Sequence, residues 1–261
     1  MTDINRRTYL KGVGGTGVAL SVAGCSSLLG GSSKGEIVPG TASGFPPFEF
    51  INESGNLVGF DIDLLSAVVE QTDYELGEWQ DLNFDTLITA LQNDQIDTIA
   101  AAMTITEKRD QTIDFSNPYY DANQAVLVRE SSDFRPSTVE DLEGHPVGAQ
   151  SGTTGQNQMK KLVEEGILKP SQTTTYENYV LAVQDLVNGN VDAVIVDTPV
   201  AKTFVEGRPV VQAFTIQTGE QYGFGVREND DDRRKALNDG LQAVRENGTY
   251  AELTRKWFAS E

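Results

Sequence analysis

The chain has 261 residues, enough to bury a core in one large domain or two small ones, and its 38% apolar and 8% aromatic content excludes wholesale disorder. Thirty-nine acids stand against 20 lysines and arginines, a formal charge of -19, which excludes nucleic acid as the main partner because phosphate would be repelled. The acids run through the whole sequence and read as a solvated surface suited to high salt, where screening acts over roughly 3 Å at 1 M, so the protein is expected to be halophilic.

Residues 1–24 read as a signal segment. Arg6 and Arg7 in NRRTYLKG precede a weakly apolar run from Gly12 to Ala23, well short of the ~20 residues that span a bilayer. The paired arginines resemble a Tat export signal, and VAGC resembles a lipobox whose Cys25 becomes the lipidated terminus. Cleavage there removes three cations and one acid and takes the charge from -19 to -21, and Cys25 is the sole cysteine, so no disulfide is expected. SSLLGGSSKG (26–35) follows as a flexible tether. The expected location is the extracellular face of the cytoplasmic membrane, with a lipid anchor. ATP and reducing cofactors are not to hand there, which disfavours cytosolic kinases and dehydrogenases.

From residue 36 strands and helices alternate. GEIVPGTAS is a first strand and loop; FDIDLLSAVVEQT (60–72) spaces its apolar residues by three and four, as a helix does. YELGEWQ reads as a strand, NFDTLITALQND as a helix and QIDTIAAAM as a buried strand. QAVLVRE (124–130) is a strand, STVEDLEG opens a short helix with a Ser137–Glu140 capping box, and HPVGAQSGTTGQNQMKKLVEEG is strand, turn and helix. AVIVD is a strand, a helix starts at Pro199, a strand lies near 210–216, and two helices follow QYGFGVRE. LQNDQIDTI (91–99) and LVNGNVDAV (186–194) align without gaps, Leu91 with Leu186 and Asp97 with Asp192. The match suggests two lobes of related α/β design, each with a parallel-type sheet.

Enzymatic groups are few. His145 is the one histidine and lies in a turn, no G-x-S-x-G element occurs, and thiolate metal sites are excluded by the cysteine count. Three elements remain, all at strand ends, where open α/β sheets bind ligands. AAMTITEKR offers Thr104, Thr106 and Arg109, whose guanidinium either grips a carboxylate or pairs with Asp110 or Asp114 on the surface. SGTTG (151–155) either caps a helix or turns its N–H groups toward an anion. In VDTP (196–199), Asp197 either caps a helix or awaits an ammonium. With Phe45, Phe84, Tyr119 and Tyr120 as aromatic walls, the set matches the needs of an α-amino acid zwitterion, and no cofactor or metal is called for.

The blocks GFPPFEF, GFDIDLL, ITALQNDQIDTIAAAMTITEKRDQTIDFSNPYY, VGAQSGTTG, VDAVIVDTP and RENGTYAELTRKWF stand in the order found in the family 3 extracellular solute-binding proteins. From about residue 36 to 261 the chain resembles that family, the polar amino-acid-binding proteins of ABC importers. The resemblance implies a two-lobed, periplasmic-binding-protein-like (type II) α/β fold with a hinge of two crossing segments. Lobe 1 would be 36–122 plus 221–261 and lobe 2 would be 123–220. It also implies that Arg109 binds the ligand carboxylate with Thr153 and Thr154, and that Asp197 holds the ammonium. Thr104 and the Ala102 backbone would meet either group, and Phe45 and Phe84 would sandwich the side chain.

This sequence departs from the family pattern at three positions: Ala42 stands where members selecting basic side chains carry an acid, Gln150 where glutamine binders tend to have Lys, and Val196 where a polar residue can sit. A neutral polar or moderately apolar ligand is therefore expected, with Gln150 free to bond an amide or hydroxyl. The expected partners are the amino acid, ABC permease subunits and the membrane through Cys25, with the protein a monomer and not an enzyme. The resemblance leaves two alternatives: a periplasmic-type cyclohexadienyl dehydratase, disfavoured by the lack of a spare cleft carboxylate, and a binding protein that feeds a chemosensory receptor.

Overall fold

A computed structural model describes residues 35–258. The signal segment, Cys25 and all of the tether but Gly35 lie outside the described residues.

The first part of the chain builds β1 (Glu36–Ile37), β2 (Pro39–Thr41), β3 (Phe50–Ile51), β4 (Leu57–Val58), α1 (Phe60–Val69), β5 (Glu75–Leu76) and β6 (Gln80–Asp81). A single 3-10 turn, Phe84–Thr86, leads into α2 (Leu87–Gln92), and β7 (Thr98–Ile99), α3 (Glu107–Asp110) and β8 (Ile113–Phe115) follow. The chain then runs through β9 (Tyr120–Arg129), β10 (Val147–Gln150), α4 (Thr154–Glu164), β11 (Thr173–Tyr176), α5 (Tyr179–Asn188), β12 (Ala193–Asp197), α6 (Thr198–Gly207) and β13 (Val210–Tyr222). It ends in β14 (Gly225–Arg227), α7 (Asp231–Glu246) and α8 (Thr249–Phe258).

Two five-stranded sheets make two lobes. One has the order β6-β2-β7-β14-β8 and the other β11-β10-β12-β9-β13. Both are mixed, which corrects the parallel reading. β6, β2 and β7 run parallel, as do β11, β10 and β12, while β14 and β8, and β9 and β13, add antiparallel. The cause is connectivity. The chain leaves the first sheet after β8, crosses on β9 and returns on β13 into β14, so the returning strands must run against their neighbours. β9 and β13 pair along their lengths, from Val210 opposite Arg129 to Tyr222 opposite Tyr120, with bulges between Gln212 and Phe214 and between Ile216 and Glu220.

Local chemistry sets the helix ends. Thr153 caps α4 by accepting from the Gln156 N–H at 3.1 Å, Asn178 caps α5 by accepting from Leu181 at 3.0 Å, and α5 stops at Gly189 in the left-handed region. α1 buries Phe60, Leu64, Leu65, Val68 and Val69 on the face that the spacing predicts. The capping box expected at Ser137 uses a different acid. Asp141 accepts from the Ser137 and Thr138 N–H groups and from the Ser137 hydroxyl, since a shorter carboxylate one residue further on reaches all three, and Glu140 only begins a 3-10 turn. His145 bonds Asp192 at 2.8 Å and stacks on Phe134. Leu87, Leu91, Ile99 and Ile113 pack one core, Val126, Val147, Met159 and Ile195 pack a second, and Leu64, Leu127, Val194 and Phe224 belong to a third. Tyr119 and Tyr120, read as walls of a site, instead join Phe48, Phe60, Tyr222 and Phe224 in an aromatic cluster.

Candidate functional site

A narrow cavity lies at the strand ends, and all nine residues expected to bind ligand line it: Phe45, Phe84, Ala102, Thr104, Arg109, Gln150, Thr153, Thr154 and Asp197. Ala42, Glu49 and Ala101 complete the lining. Its walls come from loops after strands of both sheets, a geometry typical of small-molecule sites.

Arg109 is buried and makes no surface pair with Asp110 or Asp114. Its Nη1 donates to the Thr104 carbonyl at 2.6 Å and its Nη2 to the Gly152 carbonyl at 3.0 Å, and the guanidinium lies 5.3 Å from the centre of the Phe84 ring. Burial lowers its pKa to about 10, against the pull of Asp197 and Glu220, so it stays charged at neutral pH. The short helix α3 presents it, with Thr106 capping at the Arg109 N–H.

On the facing side, the turn before α4 approaches the rest of the site closely. Gly152 sits at φ 75, and a Cβ there would lie 2.8 Å from the Asp85 Cβ. A Cβ on Gly155 would lie 2.5 Å from the Tyr179 hydroxyl and 2.8 Å from the Ile195 carbonyl, so only glycine lets α4 start this close to β12. The Thr153 hydroxyl is committed to the Gln150 carbonyl at 2.8 Å and to its cap. What this turn can offer an anion is the set of N–H groups in the first turn of α4.

Asp197, at the end of β12, occupies the N-cap position of α6 without capping it. Its Oδ1 accepts from Gln124 Nε2 at 2.6 Å and its Oδ2 from the Tyr222 hydroxyl. Burial, followed by the like charge of Glu220, raises its pKa to about 7. Ala102 adopts a φ of 45, and its N–H donates to Asp61 Oδ2 at 2.6 Å, an oxygen that also accepts from Tyr119. Asp61 is fully buried and burial raises its pKa to about 7.

Two carboxylates in or beside the cavity escape a reading of the sequence. Glu49 is 1% exposed and its Oε2 has no hydrogen-bond partner. Burial, and then the charges of Asp61 and Asp197, push its pKa well up. It stands in GFPPFEF, a block that draws attention for its aromatics. Glu220 accepts from Thr104, Gln124 and Thr154. The expectation that the cleft holds no spare carboxylate is therefore corrected. Val196 is buried in β12 and does not line the cavity. Among the described residues no helix is long and apolar enough to cross a membrane, and no group of three or more His, Cys, Asp or Glu could hold a metal.

The sequence matches the bacterial extracellular solute-binding proteins, family 3, over residues 37–260. A probable histidine-binding protein of Neisseria gonorrhoeae is 33% identical over 258 residues, covering 93% of this chain and 92% of that protein. The arginine-binding extracellular protein ArtP of Bacillus subtilis is 31% identical over 246 residues, covering 93% and 94%. The structure of an ancestral arginine-binding protein bound to arginine superposes with a TM-score of 0.81 at 37% identity, covering 87% of this chain and 100% of that one. Sheet order, crossing strands and cavity thus agree with a match that spans nearly all of the described chain, and the protein belongs to the bacterial extracellular solute-binding proteins, family 3.

Proposed function

We propose that this protein captures an α-amino acid with a cationic side chain outside the cytoplasmic membrane and delivers it to an ABC permease. The observation that carries this reading is one cavity whose lining holds both Arg109 and Asp197, together with a further buried carboxyl, Glu49, whose Oε2 has no hydrogen-bond partner. Arg109 and the first N–H groups of α4 hold the ligand carboxylate, and Asp197 and Thr104 hold the ammonium. Phe45 and Phe84 flank the side chain, and Gln150 and Glu49 receive its polar end. Glu49, whose raised pKa a bound cation would lower, supplies the acid that Ala42 lacks, so a cationic ligand is proposed in place of a neutral one. The similar proteins of Neisseria gonorrhoeae and Bacillus subtilis, a probable histidine-binding and an arginine-binding protein, support the same class. Lobe 1 is 36–122 plus 221–261 and lobe 2 is 123–220, joined by β9 and β13. Cys25 tethers the protein to the membrane through lipid.

Thermal unfolding in molar KCl against the twenty amino acids tests the reading. A ligand at 100 times its Kd raises stability by about 2.7 kcal/mol. The expected result is a higher midpoint with arginine, lysine or histidine that is lost in Arg109→Ala. No shift with any amino acid would overturn it.

Glu49 also favours a second reading, because a buried acid with a raised pKa is what a dehydratase needs as proton donor. Consumption of prephenate or arogenate by the purified protein would establish that reading. Stabilisation by a cationic amino acid without such turnover would exclude it.

A further inference from the structure

Glu220 and Tyr222 are two apart on β13, so their side chains leave the same face of the strand, and both are buried beside the cavity. One oxygen of Glu220, Oε2, accepts from two hydroxyls: Thr104 Oγ1 at 3.0 Å and Thr154 Oγ1 at 2.8 Å. These threonines come from opposite sides of the cleft, the loop after β7 and the start of α4, and both line the cavity. Gln124 Nε2 links Glu220, at 3.1 Å from Oε2, to Asp197 Oδ1, at 2.6 Å, so the two carboxylates share one network; it also donates to Thr154 Oγ1 at 3.1 Å, which takes one lone pair of that hydroxyl and leaves the other for the cavity.

A threonine hydroxyl has one proton and two lone pairs. A free hydroxyl rotates to donate to a ligand oxygen as readily as it accepts from a ligand nitrogen. Once its proton is committed to a carboxylate, it can only accept.

We infer that Glu220 is a positioning residue that fixes the polarity of the ammonium end of the site: by taking the protons of Thr104 and Thr154 it turns both hydroxyls into acceptors facing the cavity. The inference rests on the proposed function, which places the ligand ammonium at Asp197. With Asp197 the two hydroxyls form a set of acceptors, which an ammonium satisfies with its three N–H groups. An α-hydroxyl in its place has one proton and leaves acceptors facing lone pairs. The site is thereby selective for an amine over the otherwise identical hydroxy acid. The same geometry takes the Thr154 hydroxyl away from the ligand carboxylate, where the family resemblance put it, and leaves the N–H groups of α4 for that role.

Calorimetric titration of the full chain with L-arginine and with argininic acid, in which a hydroxyl replaces the α-ammonium, reads the polarity directly. The parent protein is expected to prefer arginine by about 10³-fold or more, as sites built around buried polar partners do. Glu220→Leu removes both acceptor oxygens and frees the hydroxyls to donate, and the preference is expected to narrow by at least about tenfold. A purely structural role for Glu220 would weaken both ligands alike, and an unchanged ratio in Glu220→Leu overturns the inference. Should that variant not fold, Thr154→Val carries the test: arginine affinity is expected to fall about tenfold with little change for argininic acid, and equal effects on the two ligands overturn the inference. Arg109→Ala separates the two readings. If the parent binds arginine and Arg109→Ala does not, the proposed function stands whatever the ratio shows, whereas a parent that binds no arginine overturns both.

Discussion

The Ser151 hydroxyl donates to the Asp85 carboxylate at 2.8 Å, joining the turn before α4 in one lobe to the 3-10 turn before α2 in the other. The bond is exposed and lies outside the cavity lining. Asp85→Ala removes the acceptor. Release of bound amino acid, followed by stopped-flow fluorescence, is expected to speed up by about 2- to 10-fold, from the ~0.5–1.5 kcal/mol that such a bond contributes. An unchanged rate would show that the contact does not hold the closed form.

Arg109→Lys tests whether charge alone suffices. Arg109 serves the Thr104 and Gly152 carbonyls from separate nitrogens of one rigid plane. A lysine has a single nitrogen and cannot span both while facing a ligand carboxylate. Affinity is expected to fall by about 2 kcal/mol or more, roughly 30-fold, which calorimetry resolves, with the circular dichroism of the fold retained. Binding like that of the parent would reduce Arg109 to a point charge.

Ligand-free stability should fall as pH rises. Burial holds Asp61 and Asp197 at about 7, whereas an unfolded aspartate titrates near ~3.9. Between those values the folded chain binds more protons than the unfolded one, so the stabilisation present at the acid end is lost as pH rises through the window. The thermal midpoint is expected to be higher at pH 5 than at pH 8. A bound ammonium favours the Asp197 anion and flattens that slope, with proton release visible as a dependence of binding heat on the buffer's ionisation enthalpy. A midpoint that climbs from pH 5 to 8 without ligand would refute the assignment.

Salt gives a fourth test. A formal charge of -19 repels itself at low ionic strength, and raising KCl from 0.1 to 2 M shortens the screening length from about 10 Å to below about 3 Å. The unfolding midpoint is expected to rise over that range. A midpoint indifferent to salt would remove the halophilic reading.

Arg109 and Asp197 were legible as cavity residues because Asp197 closes the apolar strand β12 and Arg109 follows a threonine-bearing loop after β7. Phe45, Phe84 and the SGTTG turn were legible from the family pattern. Glu220 was not, because in a chain with 39 acids one more carries no signal. What buries it is the pairing of β13 with β9 and the approach of Thr104 and Thr154, contacts between residues far apart in sequence. Glu49 escaped because the burial that raises its pKa comes from neighbours that no local pattern reveals. The mixed sheets were missed for a related reason: local periodicity marks strands but not the direction in which a returning chain must enter a sheet.

On the proposed function the crossing strands would serve as a fulcrum. In any rotation, displacement grows with distance from the axis, so Gln124 on β9 and Glu220 and Tyr222 on β13 would travel least, and Asp85, Ser151 and Gly152 would travel furthest. Floor substitutions would then alter what is held and rim substitutions how long it is held, so residence time could be tuned without changing the choice of cargo.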